Sequence, residues 1–155
     1  METIATRACL GFSAGAIAVL TFHQGLSEVF FHVGLPTHGG YRTAASWPFG
    51  LPAIVNLCFS GGIYGAIFAA FFRQMPRSMW RQGLVLGLLS AIISLLLIVP
   101  LKGHGIAFNG ALWPIARSLL LNGFWGLGVG LLLPMLRPKR LTTAHAVPDA
   151  AVVRA

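Results

Sequence analysis

The chain has 155 residues, 56% of them hydrophobic and 9% charged, with a mean hydropathy of +0.79. A soluble domain carries roughly a quarter charged residues, so this composition excludes an ordinary water-facing surface and fits a lipid-facing one. The formal charge of +8 does not point to nucleic acid, because Arg7, Arg42, Arg73, Arg77, Arg81, Lys102, Arg137, Lys139 and Arg140 punctuate apolar stretches instead of gathering on one soluble face. Anionic lipid head groups suit that placement better.

A bilayer core needs about 20 apolar residues of helix. Four segments meet this: 8–33, 51–72, 83–100 and 113–136. They predict an all-α membrane fold, a four-transmembrane-helix bundle in a single domain over 1–140. The first segment follows Arg7 as a signal peptide would. However, His23, Gln24, Gly25 and Leu26 come after its apolar run where a cleavage site needs small residues, so an uncleaved helix is expected. The tail 141–155, rich in Ala, Val and Thr with Pro148 and no helical stripe, is expected to be disordered.

Lys and Arg counts orient the spans. Arg73, Arg77 and Arg81 crowd one loop, Arg137, Lys139 and Arg140 follow the last span, and Arg7 precedes the first. The loops between them carry Arg42 and Lys102 alone. Both termini are therefore expected in the cytoplasm, with the protein multi-pass in a bacterial inner membrane. Trp47, Trp80 and Trp113 flank the spans as interfacial anchors.

Sliding the chain by 66 residues aligns Leu35 with Leu101, His38 with His104, Trp47-Pro48 with Trp113-Pro114 and Asn56 with Asn122, within 9 identities over 34 pairs. Two tandem helical-hairpin repeats would produce this, and would put the second and fourth helices in equivalent positions. Composition bias towards Gly, Ala and Leu is the competing explanation. Each Trp-Pro pair is expected to start a helix, since proline is tolerated in a first turn. Gly61, Gly62 and Gly65, Gly83 and Gly87, and Gly123, Gly126, Gly128 and Gly130 are expected to let helices pack closely.

Polar side chains inside a span are costly and so are the best functional candidates. His23, Gln24, Glu28 and His32 in the first helix, Asn56 in the second, and Arg117 and Asn122 in the fourth form a candidate outer-side cluster, either ligand-binding or structural. Gln24, Glu28 and His32 share one stripe at four-residue spacing. Glu28 and Arg117 are expected to form an ion pair or a shared hydrogen-bond network, being opposite charges at similar depth. The alternative is separate interfacial residues facing head groups or water, with Arg117 snorkelling outward.

No cofactor is expected. His23 and His32 fall on nearly opposite faces of one helix, which does not suit haem. No zinc or copper spacing joins the histidines, and Cys9 and Cys58 form no CxxC. No phosphate loop, GxSxG or HExxH occurs, so no enzyme is expected.

The strings LTFHQG (20–25), PLKG (100–103) and NGFWGLG (122–128) resemble those of small bacterial inner-membrane proteins with four predicted spans and no assigned activity. The resemblance covers the chain except its tail. It implies a membrane location and the four-helix class, and it brings no functional residue. Three functions stay open: a non-enzymatic subunit or assembly partner, joined to its own copies as a homo-oligomer or to a larger membrane complex; a small oligomeric transporter or channel component; and a quinone-, lipid- or metal-binding protein using the outer-side cluster.

Overall fold

The computed structural model describes residues 3–46, 48–71 and 78–137. Trp47, Arg73, Arg77, Lys139, Arg140 and the tail 141–155, on which several expectations fall, lie outside the described residues.

Four helices are long and apolar enough to cross a membrane: α1 (Ile4–His32), α2 (Ala53–Phe71), α3 (Met79–Leu101) and α4 (Leu112–Leu136). The chain is a multi-pass membrane protein. α1 begins four residues before the expected boundary because Thr3 caps it, its side chain accepting the Thr6 amide at 3.1 Å. Two helices carry a wider π-turn, at Val19–His23 in α1 and Ser94–Ile98 in α3. In α3 the turn immediately precedes Pro100, which has no N–H to continue the regular ladder.

The Trp47-Pro48 start of α2 is corrected by the structure. Pro48 sits in a turn between two short antiparallel strands, β1 (Ala45–Ser46) and β2 (Leu51–Pro52), and α2 begins only at Ala53. Gly50, with φ +65, makes that turn possible. Pro114, by contrast, does lie in the first turn of α4.

Glycine sets how closely the helices approach. A methyl group added at Gly11 or Gly15 of α1 would run into the carbonyls of Gly65 or Gly61 in α2. One added at Gly83 of α3 would stand 2.7 Å from the amide nitrogen of Gly130 in α4, and at Gly87 it would meet the carbonyl of Asn122. Both hairpins are therefore held by backbone-to-backbone packing across small-xxx-small faces.

α1 and α4 join the hairpins, and the helices run in the spatial order α2, α1, α4, α3. Trp125 of α4 is the main link. Its indole Nε1 donates to the Gly15 carbonyl at 3.0 Å, and its ring meets Tyr64 of α2 edge-on. Ala14, Ala18, Val19, Ala69, Met79, Val129 and Leu133 complete the core around it.

This order does not put α2 and α4 in equivalent positions: α4 is central, while α2 lies at an edge. Asn56 stands three residues beyond Ala53, about 4.5 Å along its helix; Asn122 stands ten beyond Leu112, about 15 Å along. The two asparagines therefore stand at different distances from their own helix starts.

Candidate functional site

The loops 33–46, 48–52 and 102–111 emerge at one end of the bundle, here the loop end; residue 3, Phe71, Ser78 and residue 137 are at the other, the terminal end. The polar residues of α1 gather at the loop end, where a physical need explains them. An irregular segment near lipid has backbone donors that neither helix nor water satisfies. Residues 33–44 are such a segment, and α1 supplies their acceptors.

Oε2 of Glu28 accepts the Gly40 amide at 2.6 Å, and Oε1 of Gln24 accepts the Tyr41 amide at 2.7 Å. Ser27 donates its hydroxyl to the His38 carbonyl at 3.3 Å. Tyr41 reaches back to the helix, its hydroxyl donating at 2.8 Å to the Leu20 carbonyl inside the π-turn. Tyr41 holds φ +56, a left-handed backbone that these two bonds to α1 retain. The backbone of Gly40 lies so close to α1 that a methyl group there would stand 2.7 Å from the Gln24 carbonyl oxygen.

α4 clamps the same loop from its other side. Trp113 Nε1 donates to the Pro36 carbonyl at 2.9 Å, and Arg117 Nη1 donates to Thr37 Oγ1 at 2.8 Å. The expected Glu28–Arg117 ion pair does not form. Each side chain is engaged by a different part of the loop, and His32 Nδ1 is the ring nitrogen near Glu28, 3.6 Å from its Oε1. His32 itself is exposed.

The seven candidate residues therefore divide. Gln24, Glu28 and Arg117 hold the clamped loop, and His23 stands behind Gln24, its Nδ1 3.0 Å from Gln24 Nε2. His32 lies at the rim. Asn56 is buried beneath the β-turn, donating to the Ser46 carbonyl at 3.0 Å and to its Oγ at 2.7 Å. Asn122 joins α4 to α3, its Oδ1 accepting from Ser90 Oγ at 3.1 Å. Among the described residues, no three of His, Cys, Asp and Glu come together as a metal-holding group.

No protein-family model, curated protein or solved structure matches the chain.

Ser27, Thr37, Tyr41, Trp113 and Ser90 take part without having been singled out as site residues. Ser27 could have been found from its place beside the Gln24–Glu28 stripe. Tyr41 could not, since its partner carbonyl depends on the path of a loop.

A cleft of about 250 Å³ opens beside the clamp, lined by Pro36, Thr37, His38, Trp113, Pro114 and Arg117. Arg117 supplies guanidinium donors, Trp113 an aromatic wall and His38 an imidazole. Such a lining can hold a carboxylate or phosphate.

Proposed function

We propose that this protein is a non-enzymatic subunit or assembly partner of the bacterial inner membrane, joined to its own copies or to a larger complex. The observation that carries this reading is the spatial order of the helices. α2 and α3 each pack chiefly along one neighbour, and only 28% of each of their apolar windows is buried, against 44% in α4. Two long apolar edges are thus free to meet lipid or another protein. The polar residues of the spans, meanwhile, are largely taken up in holding the chain's own loop.

The topology proposed has both termini cytoplasmic, on the strength of the Lys and Arg excess at the terminal end. A tandem duplication is favoured by the sequence identities alone, and the edge position of α2 beside the central position of α4 counts against it. A single-copy transport path is not favoured, because Trp125, Val129 and Leu133 fill the interior.

A photo-crosslinking residue at Ile63 of α2 or Leu89 of α3, both outward-facing, tests assembly in the native membrane. A discrete protein adduct from either edge is expected. Adducts with lipid alone from both edges would contradict it.

A second reading has a specific observation behind it, the Arg117 cleft. There the protein would bind an anionic small molecule or lipid head group at the loop end. Native mass spectrometry of gently extracted protein, comparing wild type with Arg117→Gln, tests this. An anionic species lost in the variant is expected, and an identical spectrum would count against it.

A further inference from the structure

Arg7 has no hydrogen-bond or ion-pair partner for its Nε among the described residues. It shares the face of α1 that carries Gly11, Ala14 and Ala18 at four, seven and eleven residues further on, the face turned into the bundle. It is 8% exposed, and its Nε is buried without an acceptor. A guanidinium stays charged in any protein setting, and a buried charge without a partner is strongly unfavourable.

The chain has few acids with which to neutralise it. Glu2, Glu28 and Asp149 are the three in the sequence. Glu28 lies 21 residues along the same helix, about 31 Å away at the loop end. Glu2 and Asp149 lie outside the described residues.

The helix ends here are mixed in sign: α1 and α3 present their N-termini, where the dipole is positive, and α2 and α4 their C-termini, where it is negative. Ser78, at the cap position of α3, makes no capping bond. Arg81 lies in the first turn of α3, over the Trp80 ring with 5.2 Å between guanidinium carbon and ring centre.

Arg7 lies in the first turn of α1, which begins at Ile4, so its long side chain is within reach of the head-group layer at the terminal end.

We propose that Arg7 holds the phosphate of an anionic phospholipid at the terminal end of the bundle. The lipid supplies acceptor oxygens to a guanidinium whose Nε has none among the described residues, and the guanidinium offers a fork of donors matched to phosphate. The role is distinct from the loop-end cleft and does not depend on the protein's partners.

The test is native mass spectrometry of the full chain from nanodiscs of equal phosphatidylglycerol and phosphatidylcholine. One arginine at an anionic surface is worth about a fivefold preference. Wild type should retain phosphatidylglycerol by about that factor, Arg7→Gln should retain the two lipids nearly equally, and Lys102→Gln, altered at the other end, should behave as wild type. Equal retention by wild type, or an unchanged preference in Arg7→Gln, overturns the proposal.

A preference that appears only in the Glu2→Gln/Asp149→Asn double variant also overturns it, because the chain's own carboxylate then holds Arg7. In phosphatidylcholine alone, inorganic phosphate at millimolar concentration should not raise the Tm to its value in phosphatidylglycerol. If it does, the site takes free phosphate and the lipid assignment fails. Should Arg7→Gln not fold, wild type and Arg7→Lys carry the test. Wild type should melt higher in phosphatidylglycerol than in phosphatidylcholine, with a smaller gap in Arg7→Lys, and equal melting of wild type in both overturns the proposal.

Discussion

The Gly40 amide donates to Oε2 of Glu28 at 2.6 Å, so the acid in the first span is engaged by a loop rather than by the arginine of the fourth span. Glu28→Ala strands that amide and should cost about 1–3 kcal/mol, the usual penalty of an unsatisfied buried donor. Glu28→Gln keeps an acceptor and should cost less. Thermal unfolding in mild detergent separates the two, and equal losses would show that the bond contributes nothing.

Trp125 joins the hairpins through one hydrogen bond and a large buried ring. Trp125→Phe keeps most of the ring but loses the bond to the Gly15 carbonyl, which still accepts the Val19 amide, and should cost about 1 kcal/mol. Trp125→Ala also empties the core and should cost about 3–5 kcal/mol. Unfolding midpoints of the two variants check the order, and equal losses would show that the hydrogen bond outweighs the packing.

Gly15 and Gly25 lie on the same helix but differ sharply in surroundings. A side chain at Gly15 meets the Gly61 backbone, while one at Gly25 meets nothing within 4 Å. Gly15→Leu should separate α1 from α2 and abolish recovery of folded protein. Gly25→Ala should be neutral or stabilising by about 1 kcal/mol through helix propensity. Fluorescence-detected size exclusion reads both, and normal behaviour of Gly15→Leu would refute the close approach.

Tyr41 ties the loop to the π-turn of α1 by its hydroxyl. Tyr41→Phe should cost about 1 kcal/mol and raise amide exchange in residues 34–44 before it affects the helices. Hydrogen-exchange mass spectrometry measures this, and unchanged loop protection would mean that the hydroxyl does not hold it.

The helices were legible because lipid demands long apolar runs, and Gly83 and Gly87 announced their packing by spacing alone. The Gln24–Glu28 stripe was legible as polar but not as a clamp. Its partners are backbone amides of Gly40 and Tyr41, whose positions depend on loop conformation and leave no side-chain signature. The Glu28–Arg117 pairing failed for the same reason, since Thr37 and Gly40 reach these side chains and depth alone could not reveal that. Gly11 and Gly15 were overlooked within GFSAG, where they pass for ordinary small residues of an apolar run. Pro48 misled because β1 and β2 precede α2, whereas no such turn separates Pro114 from α4.

The central claim is that the chain works by assembly along the free edges of α2 and α3. Its most direct test is the mass of the protein taken from its own membrane in polymer-bounded lipid discs, without detergent. A fixed stoichiometric complex, with its own copies or with another membrane protein, is the predicted result. A single 16.5 kDa chain with lipid as its sole companion would contradict it.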